Sequence, residues 1–359
     1  MVAHIKELSV HRHQWIDKAD FKNGIALCQS IPGATAMQVA AYVGLRVKGI
    51  FGALAAYSGF GLPAFILMLI LSALYARFNS LPQFISLFNG LQVIVVAIIL
   101  HAIYSFGRNI ANNYRSIIIA LLSAVSFWSG VSPFIVIIGA GLIGVAFLGI
   151  STPSPTIDSE RKGTRPNTKH IVLLLATLLI FITGLYITNL VLFNLATVML
   201  KIDLFAFGGG FASVPLMLHE VVINREWLDS KTFMDGIALG QITPGPIVIT
   251  STFVGYLVYG TAGAIVATIS IFTPSFLMLI VVAPFFDRLK ASAHFLKAID
   301  GVFASFVGLL VYVCLKFTMI VPWDAVRILF GIATIAALLR RVDILYIVIA
   351  GAVISVFIF

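Results

Sequence analysis

Two matched motifs contain the residue types best suited to binding chemistry, a glutamine followed three residues later by proline and glycine. The motifs comprise Gln29, Pro32 and Gly33 in the first copy and Gln241, Thr243, Pro244, Gly245 and Pro246 in the second. Proline removes a backbone donor and glycine relaxes the steric limits on the chain, so each motif should break a helix. A helix that starts at such a break offers free N–H groups and a positive dipole end to an anion. The glutamine amides and the Thr243 hydroxyl would add neutral donors to such a site.

A purely structural role is the alternative interpretation of these motifs. In that case Pro-Gly only kinks a packed helix, and the glutamine amide caps the freed carbonyl groups. Recurrence at matched positions favours a binding site. Because unpaired backbone groups in a bilayer are tolerated only where protein or a water-filled cavity satisfies them, two such breaks predict a central cavity.

The motifs belong to a longer duplication. The stretch WIDKADFKNGIALCQSIPGA from Trp15 resembles WLDSKTFMDGIALGQITPGP from Trp227, 212 residues later. After a slip of one residue the register continues through apolar sequence. The matched pairs there are Gly44 with Gly255, Gly49 with Gly260, Pro63 with Pro274 and Gly90 with Gly301. Shared hydrophobic composition does not explain matches at one offset, so the chain comprises two homologous halves.

Composition places the chain among integral membrane proteins. Its mean hydropathy is +1.07, and 60% of its residues are hydrophobic whereas 10% are charged, which lies outside soluble globular usage. A spanning helix needs roughly 20 apolar residues, and about twelve stretches are candidates. They are residues 24–45, 50–76, 84–106, 116–128, 131–150, 171–187, 192–218, 236–258, 262–285, 295–316, 325–339 and 344–359. The predicted fold is an all-α polytopic membrane protein with Pro-Gly broken helices.

Several functional classes are disfavoured by the same sequence. The net charge of +9 comes from Lys and Arg residues in short loops rather than on one face, which argues against nucleic-acid binding. Cys28 and Cys314 lie in apolar stretches without disulfide or metal-ligand spacing. A membrane-embedded enzyme would need clustered carboxylates or a His, Asp or Cys constellation near one face. We therefore expect no catalytic residue, metal or cofactor.

A polar linker rich in Ser, Thr and Pro joins the two halves. We divide the chain into a first repeat at residues 1–150, a cytoplasmic linker at 151–169 and a second repeat at 170–359. The first repeat shows no counterpart of the helix that precedes Gly208. We therefore expect its first helix to be missing at the N-terminus.

Loop charges indicate that the two repeats are inserted in opposite orientations. The loop after the first motif contains Arg46 and Lys48, whereas the matched loop at Tyr259 is uncharged. Since basic residues close to spans are retained in the cytoplasm, the halves should form inverted-topology repeats, an arrangement typical of transporters. Counting spans from the linker places one set of basic residues outside, against this rule. That set is Lys6, Arg12, Lys18 and Lys22.

A second group of candidate residues lies between the two motifs. Gly208, Gly209 and Gly210 supply flexible backbone near titratable groups and could form a gate or an anion-binding nest, with close helix packing as the alternative. Glu220 is the leading candidate for proton coupling, because a carboxyl group at a membrane edge needs a role or a partner. A solvated loop carboxylate is the alternative for Glu220.

At these residues the chain resembles the chromate ion transporter family, in its two-domain form and over essentially its whole length. The resemblance rests on IALCQSIPGA and YVGLRVKGIFGAL in the first half and on FGGGFASVPLMLHEVV and FVGYLVYGTAGA in the second. It implies export of chromate through the cell inner membrane, coupled to the proton-motive force and giving chromate resistance. His4 lies in an Ala-His pair that matches the family, whereas Ala34 replaces the second proline of the first signature.

The resemblance also implies partners and roles. Chromate, protons and the lipid bilayer are the expected partners, and a homodimer is one assembly we consider. The two motifs and Arg46 would contact the substrate, while the three glycines, Glu220 and His4 would serve gating or coupling; for Arg46, a topology signal is the alternative. Sulfate or another tetrahedral oxyanion is the rival substrate, because it shares charge and shape with chromate. A non-transporting membrane scaffold, the rival from another class, would not need two matched helix breaks.

Overall fold

A computed structural model describes residues 1–149 and 168–359 of the chain. Within these ranges the secondary structure is helical, with short 3-10 and π-helical segments and no strand. The helices of the first half are α1 (Val2–Lys6), α2 (Lys18–Ser30), α3 (Thr35–Phe78), α4 (Pro82–Ile110), α5 (Tyr114–Trp128) and α6 (Pro133–Phe147). Those that follow are α7 (Thr168–Thr188), α8 (Leu190–Phe205), α9 (Ser213–Met217), α10 (Ser230–Ile242), α11 (Thr250–Val282), α12 (Phe286–Ala291), α13 (Ala293–Ile320), α14 (Ala325–Leu339) and α15 (Ile344–Ile358). Most of the linker, residues 151–167, lies outside the described ranges.

The duplication is visible in the helices themselves. Helices α2 and α10 each have 13 residues and begin after an aspartate, Asp17 or Asp229, whose side chain accepts a backbone N–H from the first turn. Such a carboxylate satisfies an otherwise unpaired donor and complements the helix dipole. The pairs α5 with α14 and α6 with α15 have 15 residues each. The predicted helix breaks are confirmed, because helices end at Ser30 and Ile242, just before each Pro-Gly.

Helices α3 and α11 each contain a reversal of the chain. In α3 it lies at Lys48 (φ −135°, ψ 27°) and Gly49 (φ 60°, ψ −150°), and in α11 at Tyr259 (φ −149°, ψ 37°) and Gly260 (φ 57°, ψ −151°). The positive φ explains the matched glycines. A Cβ on Gly44 would lie 2.2 Å from the carbonyl oxygen of Gly52, although residues eight positions apart on a straight helix are separated by about 12 Å. Each of these two helices is therefore two legs packed side by side.

The leg before each reversal folds back on the preceding short helix. In the first half, Asp20 on α2 contacts Arg46, with 2.9 Å between Oδ2 and Nε, and Tyr42, with 2.8 Å between Oδ1 and Oη. In the second, a Cβ on Gly236 would lie 2.5 Å from the ring of Phe253. We call residues 18–47 hairpin 1 and residues 230–258 hairpin 2, and the Pro-Gly segments form their tips.

These hairpins correct the sequence prediction of single crossings. The stretches 24–45 and 236–258 are each two short antiparallel helices, because residues equally far from the Pro-Gly break touch each other. The stretch 192–218 is also not one helix, since α8 ends at Phe205 and α9 begins at Ser213.

The two halves exchange helices to build one core. Helix α13 packs against α5 and α6, and its counterpart α4 packs against α14 and α15. Small residues permit these close crossings: a Cβ on Gly301 would lie 2.3 Å from the carbonyl oxygen of Ala140, and one on the matched Gly90 would lie 1.8 Å from Oγ of Ser355.

Five described helical stretches are long and apolar enough to cross a membrane. They are Thr35–Phe78, Pro82–Ile110, Ile171–Thr188, Ile247–Ala291 and Ala293–Ile320. Helix α7 buries none of its apolar window against the protein, as expected for a helix surrounded by lipid. The chain is an integral membrane protein, whereas the count of about twelve spans stays a prediction.

Candidate functional site: a cavity at the hairpin tips

A cavity of about 1120 Å³ opens at the tip of hairpin 2. Its walls include Gln241, Thr243, Pro244, Gly245 and Pro246. Several other parts of the chain contribute to the walls. They are Ala34 and Thr35 from hairpin 1, Gly209 and Gly210 from the segment after α8, His101, Tyr104 and Arg108 from α4, residues between Leu338 and Leu345 where α14 ends and α15 begins, and Met1. The second motif therefore lies on the cavity wall. Of the first motif, the predicted site residues Pro32 and Gly33 do not line the cavity, and only the residues that follow Gly33 reach it.

The second leg of α3, residues 50–78, is in contact with both hairpins and shows how they are arranged. Near its start, Gly52 meets Gly44 at the base of hairpin 1. Nine residues further along this leg, a Cβ on Gly61 would lie 3.0 Å from Cε of Met37, which is close to the tip of the same hairpin. Hairpin 1 therefore runs along this leg from its beginning toward its middle.

Hairpin 2 meets the same leg from the other end. At its tip, a Cβ on Gly245 would lie 2.7 Å from the Cβ of Ala64. Deeper in hairpin 2, Asp235 Oδ2 accepts a hydrogen bond of 2.9 Å from the Tyr75 hydroxyl, and Asp235 Oδ1 accepts one of 2.7 Å from Gln92 Nε2. The two tips thus meet near the middle of this leg, and the two bases lie toward its opposite ends.

The tip of hairpin 1 is held by one hydrogen bond to the residue that follows α8 and by one within the hairpin. The N–H of Gly33 donates to the carbonyl of Ala206 at 3.0 Å, and Nε2 of Gln38 donates to the carbonyl of Pro32 at 2.6 Å. Gly33 has a φ of +111°, and a Cβ there would lie 2.1 Å from the Cβ of Ser275. Only glycine fits this conformation and this spacing, so the first tip is pinned.

The tip of hairpin 2 has spare donor capacity. The N–H of Gly245 donates locally to the carbonyl of Thr243 at 2.9 Å. The Nε2 atom of Gln241 is buried and has no hydrogen-bond partner among the described residues. Since an amide buried without a partner is costly, a donor left free on a cavity wall is available to a bound acceptor.

Not all of the residues predicted from the sequence lie on this cavity. Gln29 and His4 are exposed and are not part of its walls. Arg46 instead ties the base of hairpin 1 through Asp20. Gly208 lies behind the cavity, where a Cβ would sit 3.2 Å from the ring of Phe306.

Glu220 lies away from the cavity walls and has a partner. Its side chain is buried and accepts a hydrogen bond of 2.7 Å from Lys201 Nζ, and Arg225 Nε lies 3.9 Å away. The sequence alternative of a solvated carboxylate is therefore wrong. The coupling role of Glu220 stays a prediction.

Two arginines on the cavity wall were not identified as site residues from the sequence. Arg108 lies in the last turn of α4, where its guanidinium lies 5.7 Å from the centroid of the Tyr104 ring, and Arg341 follows α14. In the repeat they align with Met319 and Gly130, so comparison of the halves gives no signal for them. Both are exposed, and with His101 they make this wall attractive to anions, although Asp343 also lies there.

Comparison with known proteins identifies the family of this chain. Residues 1–145 and 193–356 match the family described as Chromate transporter. The chain is 43% identical to an uncharacterized transporter of Methanocaldococcus jannaschii, over 99% of this chain and 88% of the relative. It is 32% identical to a chromate transport protein of Cupriavidus metallidurans (92% and 80%) and 29% identical to one of Pseudomonas aeruginosa (84% and 72%). No solved structure matches. The chain therefore belongs to the chromate transporter family, whose members are transport proteins and not enzymes.

Proposed function

We propose that this protein exports chromate from the cytoplasm across the inner membrane by alternating access, coupled to the proton-motive force. The observation that carries this proposal is the cavity at the second Pro-Gly motif, which the residues after the first Pro-Gly also reach, with the free amide donor of Gln241 on its wall. Chromate is favoured as substrate because the chain is similar to two chromate transport proteins over most of its length. Such export would give chromate resistance.

Inverted orientation of the two halves is part of the proposal. It is supported by the order of contacts along residues 50–78, which brings the two hairpin tips together from opposite ends. Replacing the predicted crossing at 24–45 by a hairpin also removes an inconsistency in the charge count, since Lys18, Lys22 and the N-terminal basic residues then share a side with Arg46. Arg225 and Lys231 move to the outer side in return. The excess of basic residues stays at the base of hairpin 1, the cytoplasmic side.

The cavity suits uptake of an anion from the cytoplasm. Arg108 and Arg341 lie on its wall, Arg108 in the last turn of α4 and Arg341 just after α14, and the charge count assigns both of these helix ends to the cytoplasm. They would concentrate a dianion at the opening, while the neutral donors at the tip would bind it without trapping it. A membrane potential that is negative inside favours outward movement by about 2.3 kcal/mol per charge per 100 mV.

Sulfate is the rival substrate, because it has the same charge and tetrahedral shape. The Gln241 amide recognises oxyanion oxygens in general, whereas the Thr243 hydroxyl, predicted as a further donor, already donates to the carbonyl of Gly240 at 2.8 Å. Transport of chromate therefore has to be compared directly with transport of sulfate.

The test is chromate flux into proteoliposomes that contain the purified protein, with and without a pH gradient and a membrane potential. We expect chromate uptake that depends on the protein and increases when the pH gradient or the membrane potential is imposed. Added sulfate should inhibit this uptake only weakly. Stronger inhibition by sulfate than by unlabelled chromate would favour the rival substrate. Flux equal to that of empty liposomes under all conditions would contradict the proposed function.

A further inference from the structure

Asp203, near the end of α8, is a buried carboxyl group that the proposed site does not use. None of its surface is exposed. Its Oδ2 accepts a hydrogen bond of 2.7 Å from the backbone N–H of Ser275, whereas its Oδ1 is buried without a partner in the described part of the chain. No ion pair involves Asp203 among the described residues. A fully buried carboxyl group with one oxygen that lacks a hydrogen-bond partner is unusual.

Ser275 connects Asp203 to the pinned tip of hairpin 1. Its Cβ lies directly against Gly33, and its carbonyl accepts a hydrogen bond of 3.3 Å from Gln38 Nε2. Gln38 also holds the carbonyl of Pro32, and its Oε1 is a second buried acceptor without a partner in the described structure. Two side chains with a free acceptor oxygen thus bind the same residue, next to the tip.

Among the residues that the structure describes, no positive charge pairs with the Asp203 carboxylate. The titratable groups around Asp203 and Ser275 are the Tyr57 hydroxyl on α3, 2.7 Å from Ser275 Oγ, and the Cys28 thiol on α2 beyond it, both neutral at neutral pH. Lys201, two residues before Asp203 on α8, is paired with Glu220. An unpaired buried carboxylate is costly in a membrane protein, and membrane-embedded carboxyl groups are commonly proton carriers. One proton on Oδ1 would remove the charge and turn a free acceptor into a donor.

We propose that Asp203 is the proton-binding residue that couples the proton gradient to movement of hairpin 1, an inference that rests on the proposed function. In each cycle one O–H bond forms at Oδ1 with a proton from water on the outer side and breaks with release of that proton to water on the cytoplasmic side. A carboxylate holds the Ser275 N–H more strongly than a neutral carboxyl group does. Protonation therefore loosens the residue that packs on Gly33, and the tip is free to move.

The experiment compares Asp203→Asn with wild type in proteoliposomes by two assays. The first is chromate exchange without any gradient, and the second is chromate accumulation driven by a pH gradient. We expect Asp203→Asn to retain exchange, to lose the dependence of exchange on pH, and to lose accumulation driven by the gradient. Asp235→Asn is the matched control, because both oxygens of that buried carboxylate already have donors, and it should keep gradient-driven accumulation.

The possible outcomes separate the two proposals. No exchange by the wild type contradicts the proposed function itself. Exchange by the wild type with gradient-driven accumulation retained in Asp203→Asn overturns the assignment, and loss of accumulation in Glu220→Gln instead would transfer the role to Glu220. If Asp203→Asn does not fold, Asp203→Glu retains an ionisable group and must keep accumulation with a shifted pH dependence. An unchanged pH dependence in Asp203→Glu also overturns the assignment.

Discussion

Hairpins 1 and 2 share one architecture and differ in what holds them. Each is preceded by an aspartate cap, breaks at Pro-Gly and is followed two residues later by a glycine with φ near +60°. At its base, hairpin 1 is closed by the Asp20 and Arg46 ion pair, whereas the aligned residues of hairpin 2 are Thr232 and Leu257, which cannot form an ion pair. At its tip, hairpin 1 is tied to Ala206 and Gln38, whereas hairpin 2 has an unpartnered Gln241 amide.

The difference indicates a division of roles between two copies of one fold. A tip whose donors are already bonded to protein has little left for a ligand, while a tip with a free donor on a cavity wall is suited to bind one. We interpret hairpin 1 as the element coupled to the rest of the protein, and hairpin 2 as the element that binds the substrate.

The largest effect should come from filling the glycine at the pinned tip. Gly33→Ala places a Cβ 2.1 Å from the Cβ of Ser275 at a φ of +111°, which combines about 1–2 kcal/mol of left-handed strain with about 1–3 kcal/mol of overpacking. Gly245→Ala, the matched control, has no positive φ and would meet only the Ala64 methyl group at 2.7 Å. Thermal unfolding in detergent should show a lower midpoint for Gly33→Ala than for Gly245→Ala. Equal midpoints would mean that the first tip is not pinned.

A smaller effect on substrate affinity should separate the two glutamines. Gln241→Ala removes a donor to a dianion, and because hydrogen bonds to charged groups contribute about 1.5–3 kcal/mol, chromate affinity should fall by about tenfold or more. Gln29→Ala alters an exposed residue away from the cavity and should leave affinity unchanged. The concentration dependence of chromate flux measures both. A larger loss in Gln29→Ala would reverse the roles assigned to the hairpins.

The smallest effect concerns the ion pair at the base of hairpin 1. The Arg46 side chain is 29% exposed, so Asp20→Asn should cost about 1 kcal/mol or less, and less still at high salt. Chromate affinity should not change, because neither residue lies on the cavity. A double-mutant cycle of Asp20→Asn with Arg46→Gln, followed by thermal unfolding, gives the coupling energy. Loss of affinity in Arg46→Gln alone would restore its predicted role as an electrostatic guide.

Much of the fold follows from the sequence because the chain is duplicated. A matched glycine or proline in two copies marks a backbone requirement, and the breaks at Pro32 and Pro244 and the turns at Gly49 and Gly260 lie where the matches are. Apolar periodicity does not reveal whether the chain continues or reverses after a break. The hairpin at 18–47 is seen in contacts such as the one between Asp20 and Arg46, 26 residues apart, and a local sequence pattern carries no information about such contacts.

The candidate site was predicted less completely, because duplication marks only those residues that recur in both halves. Gln241 could be identified because its motif recurs, whereas Arg108 and Arg341 have no counterpart in the other half. Asp203 meets Ser275 across 72 residues of sequence, and its importance depends on the absence of any described cation beside it. Charge balance of this kind exists only in the folded protein.

The most direct test of the opposed hairpins is the accessibility of single cysteines at Lys48 and Tyr259, the matched residues at the two reversals. They would be introduced after replacing the buried Cys28 and Cys314 by alanine and treated with a membrane-impermeant maleimide. We predict that Tyr259→Cys reacts in intact cells and Lys48→Cys only in everted vesicles. Reaction of both from the same side would contradict the inverted arrangement and with it the shared site between the two tips.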